Sequence, residues 1–183
     1  MNSSLKSFIP GMARLLGMTP AALYERQRAL VRGGVLEAEG NRGPGSGVRS
    51  TAKSVSLLLI ASLCSESLGE TAEQTINIAD AKSTDGVCAL TGRATFLDCL
   101  RSLMFSDAQM SKFVELTISR NASKAVLVFR SGRVEMKTVF LSERYDEPIV
   151  RIDATVGKYF LADLAKDVKS VVEETSLESM EAT

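Results

Sequence analysis

The chain has 183 residues, 45% of them hydrophobic and 24% charged, which suits one globular domain or two small ones. It contains no histidine, and that excludes Ser-His-Asp and Cys-His nucleophile systems as well as histidine-ligated zinc. Basic and acidic residues cancel at 22 each, yet residues 1–53 hold eight basic side chains against three acidic ones, so a polyanion partner is expected for that third alone.

In chain order, "PGMARLLG" predicts a short helix that starts at Pro10, stops at Gly17 and gathers Met12, Leu15 and Leu16 on one face. "MTPAALYERQRALVRGG" predicts a second helix, capped by Thr19, opened by Pro20 and ended by Gly33-Gly34. The turn between them, Gly17 to Thr19, has helix-turn-helix spacing. With Leu23 at the buried centre, Leu30 returns to the same side, while Ala21, Glu25, Arg28 and Arg32 point away and Tyr24 lies on the flank. Gln27 falls on the inner face, where its stem would line the core and its amide reach for a helix end.

"VLEAE" then predicts a strand from Val35 to Glu39, "GNRGPGSG" a hairpin tip, and "VRS" a short return strand. A phosphate loop of the form GxxxxGK[ST] does not fit the glycines, because Gly45 is followed by Ser46 and Gly47 rather than by lysine. The tip of a wing does fit, with Arg42 and Arg49 placed to reach a DNA backbone. The order of helix, turn, helix, glycine pair, strand, basic loop and strand resembles the winged helix-turn-helix family of bacterial and phage regulators over about residues 8–53. "MARLLGMTPAALYERQRALVRGGVLEAEG" carries most of that likeness, and "LGMTPAALY" and "GGVL" are its most specific pieces. The resemblance implies double-stranded DNA as the partner, with the helix from Pro20 to Arg32 in the major groove. Thr19, Ala21, Tyr24, Arg28 and Arg32 are its candidate contacts, and Arg42 and Arg49 are expected on phosphates.

Thr51 is placed to cap a helix through "AKSVSLLLIASLCSES". Its residues Val55 to Leu63 are apolar almost all round, so burial is expected either beneath the chain's own modules or in a dimer. Further on, a short helix is expected at Ala72 to Ala81 and another at Ala94 to Phe105. "FVELTIS" alternates as a strand, "AVLVFR" and "RVEMKTVFL" form a hairpin about Ser131-Gly132, and "PIVRIDA" offers a fourth strand. Phe160, Leu161, Leu164, Val168, Val171 and Val172 make an apolar stripe on a helix from Lys158 to Glu173, and "EETSLESMEAT" reads as a frayed acidic tail.

The expected fold class is α+β. It consists of a winged helix-turn-helix with a linking helix over residues 1–68, an antiparallel β-sheet with covering helices over 69–172 for oligomerisation or effector binding, and a tail over 173–183. The expected function is sequence-specific DNA binding by a homodimeric regulator of transcription, with the C-terminal domain available to a protein partner. Two alternatives stand beside it, a phage-type DNA-packaging or replication adaptor and a protein-interaction module built on the winged fold. No enzyme activity, cofactor or metal is expected, and Asp146, Glu147 and Asp153 read as a solvated loop. The most apolar run, Val55 to Cys64, is about half of the roughly 20 residues a membrane helix needs. Three widely spaced cysteines without a CxxC, and an N-terminus without a signal pattern, point to the reducing cytoplasm.

Overall fold

The computed structural model describes residues 4–39 and 47–181, which form a mixed α+β structure with seven helices and a five-stranded antiparallel sheet. Helix α1 (Leu5–Leu15) begins before Pro10, the start expected from the sequence. The Ser4 hydroxyl caps it by accepting the Lys6 N–H at 3.3 Å, and Leu5, Phe8, Ile9, Met12 and Ala13 are buried. Pro10 lies inside the helix on its exposed side, where its ring removes one helical hydrogen bond. Burial of Leu5, Phe8 and Ile9 on the first turns outweighs that loss.

Both N-terminal helices stop by the same device. Gly17 has φ +64, and the N–H groups of Gly17 and Met18 turn back to the carbonyls of Arg14 and Ala13 at 3.3 and 2.9 Å. After α2 (Pro20–Arg32), Gly34 has φ +71, and the N–H groups of Gly34 and Val35 reach Val31 and Leu30 at 3.1 and 2.9 Å. Strands β1 (Ala38–Glu39) and β2 (Gly47–Val48) pair antiparallel, each shorter than expected. Arg49 extends the ribbon by bridging Ser4. The tip that would join them, Arg42 included, lies outside the described residues.

Helix α3 (Ala52–Cys64) opens on a reciprocal capping box between Thr51 and Ser54, and every residue from Ser54 to Cys64 is buried within this one chain. Its apolar surface is therefore covered without a second copy, and it ends before the expected Ser67. The remaining elements are α4 (Thr71–Ala79), β3 (Lys82–Ser83), α5 (Phe96–Phe105), α6 (Asp107–Lys112), β4 (Phe113–Ser119), β5 (Lys124–Ser131), β6 (Val134–Leu141), β7 (Asp153–Gly157) and α7 (Lys158–Glu181). The sheet order is β3-β6-β5-β4-β7.

Alternation sorts the strands into two faces. Leu116, Leu127, Thr138 and Val156 form one cross-strand row, and Ile118, Ala125 and Phe140 the next; all are buried. These rows belong to a continuous core that runs from Leu5 to Val168. The opposite face is open.

Three expectations for the C-terminal part need correction. The hairpin turn is Gly132-Arg133 rather than Ser131-Gly132, because Ser131 pairs with Val134 and Gly132 carries the positive φ of 64°. The fourth strand is Asp153–Gly157 rather than Pro148 to Ala154, and Ile149 and Val150 stand 106% and 71% exposed. Helix α7 continues past Glu173 to Glu181, so most of the expected tail is helical.

All three cysteines are free and buried. Burial pushes the Cys64 thiol up from its ordinary 9.0 to about 11. Between those pH values the unfolded chain releases a proton that the folded chain keeps, so stability is fully present below pH 9 and falls as pH rises. Denaturant titrations near pH 8 and near pH 11 should show Cys64→Ala losing about 2 kcal/mol less stability over that interval than the native chain. Equal losses would refute it.

Candidate nucleic-acid interface

Helix α2 has two faces set by its own sequence. Leu23, Gln27, Ala29 and Leu30 are buried, whereas Thr19, Ala21, Tyr24, Arg28 and Arg32 are all exposed. Thr19 caps the helix by accepting the Ala22 N–H at 3.2 Å, which fixes where the exposed stripe begins. Arg28 donates to Glu25 at 3.0 Å, an exposed i,i+3 pair with side chains 55% and 40% accessible. Such a pair is worth a few tenths of a kcal/mol and yields readily to a phosphate or a base.

Contacts through α1 bring the ribbon beside that stripe. Arg49 bridges Ser4, Ser4 caps the first turn of α1, and the Lys6 ammonium lies 5.7 Å from the Tyr24 ring centre. Tyr24, Lys6 and Arg49 thus belong to one exposed region. Lys53, in the first turn of α3, is exposed and lines one cavity with Arg49. Neither lysine is singled out by the sequence pattern. Lys6 is missed because a helix starting at Pro10 leaves it in a leader, although Ser4 as a capping residue is the signal that places it. Arg42 lies outside the described residues.

One of the basic residues counted in the N-terminal third faces inward. Arg26 is half-buried and sends its two terminal nitrogens to the carbonyls of Ala22 and Ser65 at 3.5 and 3.3 Å. Arg120 donates to the carbonyl of Leu63 at 3.1 Å and to Glu66 at 3.0 Å. Helix α3 has no basic residue in its own last turn, so these two arginines serve its terminal carbonyls. Burial, followed by the nearby Arg120, lowers the pKa of Arg26. Gln27 is on the inner face as expected, at 6% exposure, but its Oε1 finds no hydrogen-bond partner. An orphaned buried oxygen of this kind costs about 1–3 kcal/mol.

Among the described residues no group of three or more Cys, Asp or Glu could hold a metal ion, and no helix is long and apolar enough to cross a membrane. Cys88 and Cys99 lie together beside Thr91, whose hydroxyl donates to the Cys99 sulfur at 3.3 Å. The hydrogen bond from Cys99, with others from Thr138 and Thr91, makes Cys88 the more acidic of the two, and Cys99 is correspondingly pushed up. Both are 0% exposed, which bars them from acting as surface nucleophiles. The chain matches no family model, no curated protein and no solved structure.

Proposed function

We propose that this chain is a winged helix-turn-helix protein that binds double-stranded DNA sequence-specifically, as a homodimeric regulator of transcription. Helix α2 enters the major groove and presents Ala21, Tyr24, Arg28 and Arg32, with Thr19 at its leading end. The β1–β2 ribbon and Lys6 rest on the backbone, so that phosphate contacts set the register in which α2 reads base edges. The observation that carries this reading is the exposed stripe on α2, joined through Lys6 and Ser4 to Arg49.

Fluorescence anisotropy with labelled duplexes tests it. If about four to six phosphates are neutralised, the logarithm of affinity should fall with the logarithm of salt at a slope of roughly −4 to −5. Selection from a random duplex pool should then return a preferred site. Absent or salt-independent binding overturns the proposal, and salt-dependent binding with no preferred site leaves only polyanion affinity.

A further inference from the structure

The open face of the five-stranded sheet has the anatomy of an interface. Its middle row is Thr155, Thr117, Val126 and Val139 on β7, β4, β5 and β6, and the next is Gly157, Glu115, Val128 and Lys137 on the same strands. Thr117 and Thr155 bond each other at 2.9 Å, so the centre presents three half-buried valines and a threonine pair already satisfied. Charges stand around that centre, as a polar rim does around an apolar middle.

Four of the charges are arranged for a copy of the same face, while Arg130 on β5, paired with Glu135 on β6, is opposed to itself at the end of the strand. Glu115 and Lys137 share a row but sit two strands apart, with Val128 between them. That is a backbone separation of about 9–10 Å with a valine between, and neither has a salt-bridge partner among the described residues. We propose that two copies stack this face about a two-fold axis running parallel to β5 between the sheets. The operation lays β4 of one copy over β6 of the other and β5 over β5. Glu115 then meets Lys137 of the second copy twice by symmetry, around opposed Val126 and Val128 pairs.

A second row agrees in sign. Asp153 on β7 and Lys82 on β3 lie at opposite ends of the row through Ser119, Lys124 and Leu141, and the same axis superposes them. Both have partners in their own chain, Arg151 at 2.8 Å and Glu143 at 3.3 Å, so they add less than the Glu115 pairs. Lys124 is opposed to itself, but its ammonium is 5.9 Å from the Tyr145 ring centre, turned toward its own chain. Stacked sheets cross at about −30°, which further separates such like charges away from the centre.

This inference supplies the surface for the dimer assumed in the DNA-binding reading, and it can be tested without DNA. Light scattering of the full chain over a concentration series should give twice the monomer mass at the upper end. Glu115→Lys and Lys137→Glu each create two like-charge contacts and should each raise the dissociation midpoint about tenfold or more. The double variant exchanges the charges and should return toward the native midpoint. Circular dichroism checks that each variant is folded, and Lys137, which is exposed where Glu115 is half-buried, is the safer of the two singles. A monomer throughout, a dimer unmoved by either single change, or a double variant no better than the singles overturns the interface. Any of these leaves the salt-dependent DNA titration to be judged on its own result.

Discussion

Arg28→Ala is expected to cost about 1–3 kcal/mol on the preferred duplex and to relax selectivity at one or two base pairs. Arg28 stands on the exposed stripe of α2, and in the proposed docking its guanidinium would donate two bonds to a guanine edge. Arg49→Ala, combined with Arg42→Ala, is expected to behave differently. Phosphates carry no sequence information, so specific and scrambled duplexes should weaken by similar factors, and the salt slope should flatten by about one unit per lost contact. Glu25→Gln supplies a control of opposite sign. It frees Arg28 from an exposed pair and removes a negative charge from the interface, so affinity should rise by no more than about fivefold. Equal losses on both duplexes for Arg28→Ala would show that α2 does not read bases through that residue.

The parts of this fold legible in the sequence are those decided by neighbours along the chain. Thr19, Pro20 and the Gly33-Gly34 pair bound α2 by local backbone chemistry, and Thr51 starts α3 in the same way. Strand β4 follows from the alternation of Leu116 and Ile118 with Glu115 and Thr117, and β5 from its apolar run. A register shift between Phe113 and Glu115 nevertheless buries Phe113 in place of Val114, and Ser119 is buried as well. What fails is decided at a distance. Pro10 reads as a helix start until Leu5, Phe8 and Ile9 find a core to enter. "PIVRIDA" reads as a strand because it is β-branched and apolar, but pairing with β4 sets Thr155 against Thr117 and leaves Ile149 and Val150 outside. Strand β3 has two residues, too few for any period to register. Helix α6 did carry a signal, Ser106 capping by accepting the Gln109 N–H at 3.2 Å, but six residues hold too little pattern to stand out. The candidate interface divides the same way. The outward placing of Ala21, Tyr24, Arg28 and Arg32 follows from helical periodicity, and that of Thr19 from its role as the cap. The inward turn of Arg26 and the approach of Lys6 to Tyr24 depend on how α1, α2 and α3 pack.

The two glycines that end α2 look equivalent in the sequence, and their substitution should separate them. Gly34 has φ +71 with nothing within 4 Å of a Cβ, so Gly34→Ala should cost only the strain of a left-handed residue, about 1 kcal/mol. Gly33 has an ordinary φ of −82, but a Cβ there would lie 2.2 Å from the Cβ of Ala72 in the first turn of α4. Two helices would have to separate by more than an ångström to admit it, and Gly33→Ala should cost about 3 kcal/mol. The cause is testable by removing the other methyl. In Gly33→Ala/Ala72→Gly the nearest remaining atoms are the Ala29 carbonyl oxygen at 3.4 Å and the Ala72 Cα at 3.7 Å, which are ordinary contacts. Ala72→Gly alone should cost about 1 kcal/mol in helix propensity. The double variant should nevertheless be more stable than Gly33→Ala, with a coupling of about 2 kcal/mol in the cycle measured by denaturant titration. A Gly33→Ala chain as stable as Gly34→Ala, or additive losses in the double variant, would mean that α2 and α4 do not meet at this point.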